Sequence, residues 1–424
     1  SGKPADACYS GVASVERHIR VHGATLMRPG DDRARSIAIV GAVGIPASYG
    51  GFETLAENLA TFHQERQIPC RLVVFCSAPM AKARSPQFGL AGLRYVPLKA
   101  NGFSSIVYDV VSMVMALMGG ASTLLVLGVS GAIALPFIRL FSSATIYTNV
   151  DGIEWKREKW GMLARSYLRW SERLAVRFSD VVIADNEHVS SYLQQEYGVA
   201  SETIAYGADH VLRTGTTAHP LLEALGDFAL GVCRIEPENN VHEILRAFSR
   251  QTRMSLVMIG NWSASEYGRR LRDEYKGVAC LNLLDPIYDA GILRGFREKA
   301  SLYVHGHSAG GTNPSLVEAM YCGLPVLAFD CSFNRSTTAG RARYFHTADE
   351  LLRLATSCTR DELVQIGHAM KVVADERYIW SIVADRYFSL MLEGWRGISG
   401  HGEGACQAVT RVVSGEQSSQ KEFD

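Results

Sequence analysis

The sequence predicts an α/β protein built from two doubly wound parallel sheets with a cleft between them. Three observations carry that reading. Its 424 residues, 47% of them hydrophobic, can bury more core than one domain holds. Short continuous apolar runs such as SIAIV, LVVF and LVMI alternate with helical periodicity, as expected of strands covered on both faces. The alternation also runs through twice, starting afresh near Phe228.

Residues 1–35 and 396–424 are rich in Gly, Ser and charge without periodicity, and read as flexible tails. The first array opens with the strand SIAIVG, a helix over 52–66 and the strand RLVVFC. Residues 104–147 are very apolar, but Gly119, Gly120, Gly128, Gly131 and Pro136 interrupt them, and Asp109 and Arg139 sit inside. No charge-free run there reaches the roughly 20 residues of a membrane-spanning helix. The segment reads as helix 104–118, buried strand STLLVLG, helix 131–141 and strand ATIYTNV. A long helix over 161–178 and the strand DVVIAD follow. The second array runs FALGVCRI, helix 241–250, SLVMIGN, helix 265–276 and VACLNLL, then helix 289–300, SLYVHG, helix 314–322 and PVLAFD. The implied division is 36–215 and 216–377.

Lysine plus arginine equals aspartate plus glutamate, 43 each, so no global field favours nucleic acid. The nine cysteines are scattered without a CxxC pair or metal-ligand spacing, and read as buried thiols of a reducing cytoplasm. The first 35 residues carry no apolar core of a secretory signal.

Folds of this class bind ligands at the carboxyl ends of their strands, which makes three loops candidates. The first, HSAGGTNPSLVEAM, follows SLYVHG. Gly310 and Gly311 free the backbone and leave room for a close approach. Asn313 is a good N-cap and Pro314 suits the first helical position, so the following amides and the helix dipole can seat a phosphate. Glu318, one turn in, is placed to accept from hydroxyls on whatever carries that phosphate; the alternative is an ordinary turn beside a surface glutamate. The second loop, GAVGIPASYGGFET, lacks GxGxxG, and the next strand ends in Cys76-Ser77 where a nicotinamide cofactor's ribose would need an acid. It still brings Gly50 and Gly51 to a helix start. In the third, CRIEPENN, Arg234 leaves a strand and can clamp a diphosphate; the alternative is a surface pair with Glu236 or Glu238.

Arg165, Arg169, Arg173 and Arg177 repeat every four residues in helix 161–178, while Leu163, Tyr167, Trp170 and Leu174 are expected to face the core. Like charges at that spacing slightly destabilise a helix. The row therefore suggests anionic lipid headgroups, or the pyrophosphate of a lipid-linked acceptor, with a solvated face as the alternative.

Seven blocks in order resemble a known family: VGIPASYGGFETLAENL, NVDGIEWKREKW, IADNEHVSSYL, AYGAD, RIEPENN, HGHSAGGTNPSLVEAMYCGLPVLAFD and FNRSTTAGRARYF. The chain resembles the family 4 retaining glycosyltransferases, two-Rossmann GT-B enzymes with nucleotide-sugar donors, and within them a bacterial rhamnosyltransferase-like subgroup. The resemblance covers residues 37 to about 395 and implies a last helix, 378–395, that crosses back to brace the first, acceptor-side domain. It implies that Gly310, Gly311, Thr312, Asn313 and Ser315 hold the donor phosphates and sugar, and that Glu318 binds the ribose. Arg234 would stabilise the leaving diphosphate, and Gly50 and Gly51 would close the phosphate site. No protein base is singled out; Asp151 and Glu53 are candidates, with a capping or structural carboxylate as the alternative for each. Glu318→Ala is accordingly expected to lower donor affinity with the fold intact. The chain departs from the wider family at Gly310, where that family has its first Glu, at Asn239, where it has a lysine, and at Asn149-Val-Asp151, where many relatives carry histidine.

The function implied is metal-independent, retaining transfer of L-rhamnose from dTDP-L-rhamnose to a saccharide or lipid-linked acceptor in bacterial surface polysaccharide synthesis. No cofactor is implied beyond the donor, and the site implied is cytoplasmic, peripheral on the inner face of the plasma membrane. The rivals are a UDP- or GDP-hexose donor, a nucleotide-sugar epimerase, and an inactive nucleotide-sugar-binding protein.

Overall fold

Ser36–Val40 (β1) is buried along its whole length, because helices cover both faces of the sheet it lies within. The computed structural model describes residues 35–47, 50–156, 160–250 and 254–393; apart from Arg35, the two segments read as tails lie outside the described residues. From β1 the chain passes through α1 (Gly51–Glu65), β2 (Arg71–Ser77), β3 (Gln87–Phe88), β4 (Ala91–Val96), α2 (Ser104–Met118) and β5 (Thr123–Leu127). It continues through α3 (Leu135–Phe141), β6 (Thr145–Asn149), α4 (Met162–Phe178), β7 (Val181–Ala184), α5 (Glu187–Tyr197) and β8 (Glu202–Thr203). Among the described residues these strands form one sheet, β3-β4-β2-β1-β5-β6-β7-β8, parallel except for the β3–β4 pair. Alternate residues of β1 serve opposite cores. Ile37 and Ile39 pack under α1, while Ala38 and Val40 pack under α2, α3 and α4.

The second array holds α6 (Pro220–Ala224), β9 (Phe228–Val232), α7 (Val241–Phe248), β10 (Ser255–Ile259), α8 (Glu266–Glu274), β11 (Leu281–Leu284) and α9 (Ala290–Lys299). After β12 (Leu302–His305) come α10 (Pro314–Tyr321), β13 (Val326–Phe329), α11 (Ser332–Thr337), β14 (Arg343–Phe345), α12 (Ala348–Ser357) and α13 (Arg360–Arg377). Its strands form a parallel sheet, β11-β10-β9-β12-β13-β14. The last helix, α14 (Trp380–Glu393), crosses back as expected: Trp380, Ala384, Tyr387, Phe388 and Met391 are buried among Ile39, Leu55 and Leu59. The outward and returning segments lie side by side. The Ala208 N–H donates to the Tyr378 carbonyl at 2.7 Å, and the Trp380 N–H to Asp209 Oδ1 at 2.6 Å.

Several expectations change in detail. Helix 131–141 becomes a short 3-10 turn, Ala132–Ala134, followed by α3, which starts where Pro136 loses no intrahelical hydrogen bond. The run VACLNLL yields only the half-buried edge strand β11. Residues 187–197 and 332–377, left without helices by the sequence reading, form α5, α11, α12 and α13. Of the seven described cysteines, all free, only Cys76 is fully buried. Among the described residues no helix is long and apolar enough to cross a membrane.

The largest correction concerns α4. Its buried residues are Leu168, Ser171, Glu172, Ala175 and Val176, whereas Leu163 and Trp170 point outward. The inward face was disguised by its polar members. Glu172 Oε1 accepts from the hydroxyls of Tyr192 and Tyr197, each at 2.6 Å, which lets a carboxylate sit inside with hydrogen-bond partners.

Candidate functional site

The start of α10 is built as its sequence suggests. Asn313 Oδ1 accepts from the Ser315 N–H at 3.0 Å and from its hydroxyl at 2.7 Å, with Pro314 in the first turn. The Tyr303 hydroxyl holds Ser315 Oγ from the neighbouring strand at 2.9 Å. Gly310 takes φ +132°, a conformation that favours glycine, and the space where its side chain would stand is open.

This helix start faces the first domain. A Cβ on Gly51, at the start of α1, would lie 3.4 Å from Pro314 Cγ, an ordinary contact. A Cβ on Gly152 would lie 2.7 Å from the Gly310 carbonyl carbon, so only glycine fits there. The structure thus brings Gly50, Gly51, Gly310, Gly311, Thr312, Asn313 and Ser315 to one junction.

Two of the amides offered to a phosphate are already in use, which corrects the sequence reading. Ser315 donates to Asn313, and the Thr312 N–H donates to Asp185 Oδ2 at 2.6 Å. Asp185, just after β7, also accepts the Thr312 hydroxyl at its own carbonyl oxygen at 2.7 Å, and a Cβ on Gly311 would collide with its carboxylate. Burial, then the nearby charge of Asp151, push the Asp185 carboxyl well above the usual range. Asp151 sits in the left-handed region, φ +56°, with its N–H donating to Asn149 Oδ1 at 2.8 Å. The Tyr206 hydroxyl donates to Asp151 Oδ1 at 3.1 Å, and Asn149 Nδ2 donates to the Tyr387 hydroxyl of α14 at 2.6 Å. The returning helix therefore fixes the loop that presents Asp151 beside the glycine turn.

Glu318 has partners that the sequence did not disclose. Arg297 Nη2 and His210 Nε2, the latter at 3.2 Å, hold its two oxygens. The Trp380 indole N–H donates to His210 Nδ1 at 2.9 Å; an indole only donates, so the proton of His210 faces Glu318 on Nε2. Burial alone would raise the Glu318 carboxyl, but Arg297 and then His210 outweigh it and hold it below the ordinary value. The fold-neutral Glu318→Ala is overturned as an expectation, because it would strand the buried guanidinium of Arg297.

Arg234 lies on the loop after β9, the sheet neighbour of β12. The Ser308 N–H donates to the Glu238 carbonyl at 2.8 Å, which ties the two loops together. Arg234 Nε is 3.8 Å from Glu236 Oε2 and its side chain is 43% exposed, a loose pair that leaves guanidinium donors for another anion. Asn239 is fully buried, and its amide donates to the Arg234 carbonyl at 2.7 Å, so it shapes the loop from behind. Glu53 is likewise a brace, accepting from the Val43 N–H at 2.8 Å. Sequence reasoning missed Asp185, His210, Arg297 and Tyr206. Asp185 and Tyr206 stand inside quoted blocks, IADNEHVSSYL and AYGAD, and His210 directly follows one, whereas Arg297 had no signal beyond an amphipathic helix.

Residues 226–345 match the family described as glycosyl transferases group 1, and residues 34–209 match a domain of unknown function, DUF1972. No curated protein sequence matches the chain. Among solved structures it is similar to sucrose-phosphate synthase from Thermosynechococcus elongatus, at 14% identity and TM-score 0.68 over 85% of this chain and 98% of that one. It is similar to Anabaena HepE in complex with UDP and glucose, at 14% identity and TM-score 0.64 over 85% and 100% of the two chains. A third likeness is to trehalose-6-phosphate from E. coli bound with UDP-2-fluoro glucose, at 11% identity and TM-score 0.64 over 84% and 99%. These likenesses establish the fold as GT-B, and the family match makes the second array a glycosyltransferase domain.

Proposed function

We propose that this glycosyltransferase of the GT-B type moves L-rhamnose from dTDP-L-rhamnose to a saccharide acceptor, free or lipid-linked, in bacterial surface polysaccharide assembly. One observation carries the donor class: two glycine-led helix starts, from opposite domains, meet beside the Arg234 loop. Such a junction suits a diphosphate, since two helix starts offer their dipoles and the exposed Arg234 sits on a loop tied to the segment that leads into α10. The ligands in the HepE and E. coli structures support a nucleotide sugar. Rhamnose and dTDP rest on the subgroup resemblance.

The bond between the anomeric carbon and the diphosphate oxygen breaks, and its electron pair stays on the leaving diphosphate. Gly310 and Gly311, the α1 start and Arg234 stabilise that growing charge, with no metal or cofactor needed for the step. The acceptor hydroxyl attacks from the same face, gives its proton to a diphosphate oxygen and forms the new glycosidic bond with retention. Asp151, beside Gly310, offsets positive charge on the oxocarbenium-like sugar, and Glu318 receives the ribose hydroxyls. The reading puts the chain in the cytoplasm, with Arg169, Arg173 and Arg177 towards the inner membrane surface, while Arg165 is half-buried on the side of Glu172.

A thermal-shift panel of dTDP, UDP, GDP and ADP with their sugars tests the donor, because a ligand that prefers the native state raises Tm. The dTDP pair should give the largest shift, and a sugar-transfer assay should show Arg234→Ala slowing turnover more than it weakens nucleotide binding. A larger shift with UDP- or GDP-sugars would replace the donor assignment. No shift with any nucleotide would remove the site.

A further inference from the structure

The helices α2, α3 and α4 form one layer over the first sheet and share a core beneath them. Their outer surface is unlike the rest of the molecule. α2 exposes no charged side chain: its one carboxylic acid, Asp109, is buried against the Ser130 hydroxyl. Outward from this layer stand Met118 at 84% exposure, Phe137, Leu140, Phe141 at 86%, Leu163 at 87%, and Trp170. Patches of this kind on a monomer usually mark a binding surface.

Charge decides what covers it. The one carboxylate of α4, Glu172, is buried, so every exposed charge on the three helices is an arginine. Arg139 is paired with Asp180 at 2.6 Å and Arg169 with Glu196 at 2.8 Å. Among the described residues no carboxylate lies within ion-pair reach of Arg173 or Arg177. At 3.6 residues per turn these two fall on the same outward arc as Leu163 and Trp170. Apolar tips and unpaired guanidinium groups on one face fit a surface that is greasy within and anionic at its rim. No described helix can span a bilayer, so the contact would lie on the membrane surface.

We propose that the α2–α3–α4 layer docks on an anionic phospholipid bilayer, with Phe137, Phe141 and Leu163 entering the interface and Arg173 and Arg177 meeting lipid phosphates. This deepens the arginine-row reading above and rests on it. The docking would hold the acceptor-side domain against the surface where a lipid-linked acceptor resides.

Flotation of the full chain with phosphatidylglycerol-containing vesicles, against pure phosphatidylcholine vesicles, tests the proposal. The wild type should float with the anionic vesicles only. Arg173→Gln with Arg177→Gln should weaken that binding roughly 30-fold, at about 1 kcal/mol per arginine near the surface. Phe137→Glu with Phe141→Glu should abolish it, with an unchanged Tm because both positions are exposed. Brominated acyl chains should quench Trp170 fluorescence in the wild type, by a fraction lost in Trp170→Phe. Absence of flotation, or equal flotation by all variants, overturns the proposal. So does a wild-type dimer that the Phe137→Glu, Phe141→Glu chain cannot form, since a second copy would then cover the face. Sugar transfer to a water-soluble acceptor should be the same in all variants. Loss of docking with transfer retained removes only this proposal, whereas docking without any transfer removes the enzymatic reading.

Discussion

The two helix starts that meet at the domain junction are finished in different ways. That of α10 is closed from within: Asn313 caps it, and Asp185 reaches across from the first domain to take the Thr312 amide. That of α1 has Gly50 as N-cap with no side-chain cap, and its first-turn acid, Glu53, is turned back on Val43. An anion arriving at the junction thus finds α1 the less occupied partner. At the other side it must settle on Gly310 and Gly311 or displace Asp185. The first domain, read from sequence as the lid of the phosphate site, is an equal wall of it.

The comparison can be broken first at the root of α10. Glu318→Ala leaves Arg297 buried without its counter-charge and should cost about 3–5 kcal/mol, seen as a lowered denaturation midpoint. Glu318→Gln, which keeps one acceptor for Arg297 but not the charge, should lose less than the Ala variant and more than a neutral change. An Ala variant as stable as the wild type would show that the pair does not support the helix.

Next comes the junction itself. Gly311→Ala drives a Cβ into the Asp185 carboxylate and should lower kcat by roughly 10²-fold through misplacement of the donor loop. Gly51→Ala, whose new contacts are ordinary ones at 3.4–3.5 Å, should change kcat far less. Equal effects would erase the asymmetry between the two starts.

A third measurement titrates the cross-domain contact. The Asp185 carboxyl is raised above its unfolded value, by burial first and by Asp151 next. The folded state therefore favours its protonated form. That contribution is complete below the ordinary carboxylate range and is lost as pH rises through the raised value. Tm of the wild type should fall over that rise, and Asp185→Asn should flatten the profile. The smallest effect belongs to the cap: Asn313→Ala should cost about 1 kcal/mol in a denaturant titration, with the Asp185 contact intact.

The inner strands and their helix cover were legible because they are uninterrupted apolar runs, and β1, β5 and β12 stand where SIAIV, STLLVLG and SLYVHG suggested, whereas the short polar strands β3, β8 and β14 gave no such signal. The cap at Asn313 was legible because it is local chemistry within three residues. What could not be read was whatever depends on distant partners. Glu172 looks like an outward residue until Tyr192 and Tyr197 close over it. Arg297 and His210 lie 21 and 108 positions from Glu318, and no periodicity links them to it. Asp185 stood in a quoted block, yet nothing local says that its carboxylate ends on an amide of the other domain.

The paired crossings at Ala208–Asp209 and Tyr378–Trp380 have a mechanical meaning. A single linker would let one half swivel freely, whereas two strands of chain hydrogen-bonded to each other resist twisting and leave bending as the soft motion. The molecule should then behave like a book on a spine, opening and shutting about one line, so that each turnover returns the same pages to register.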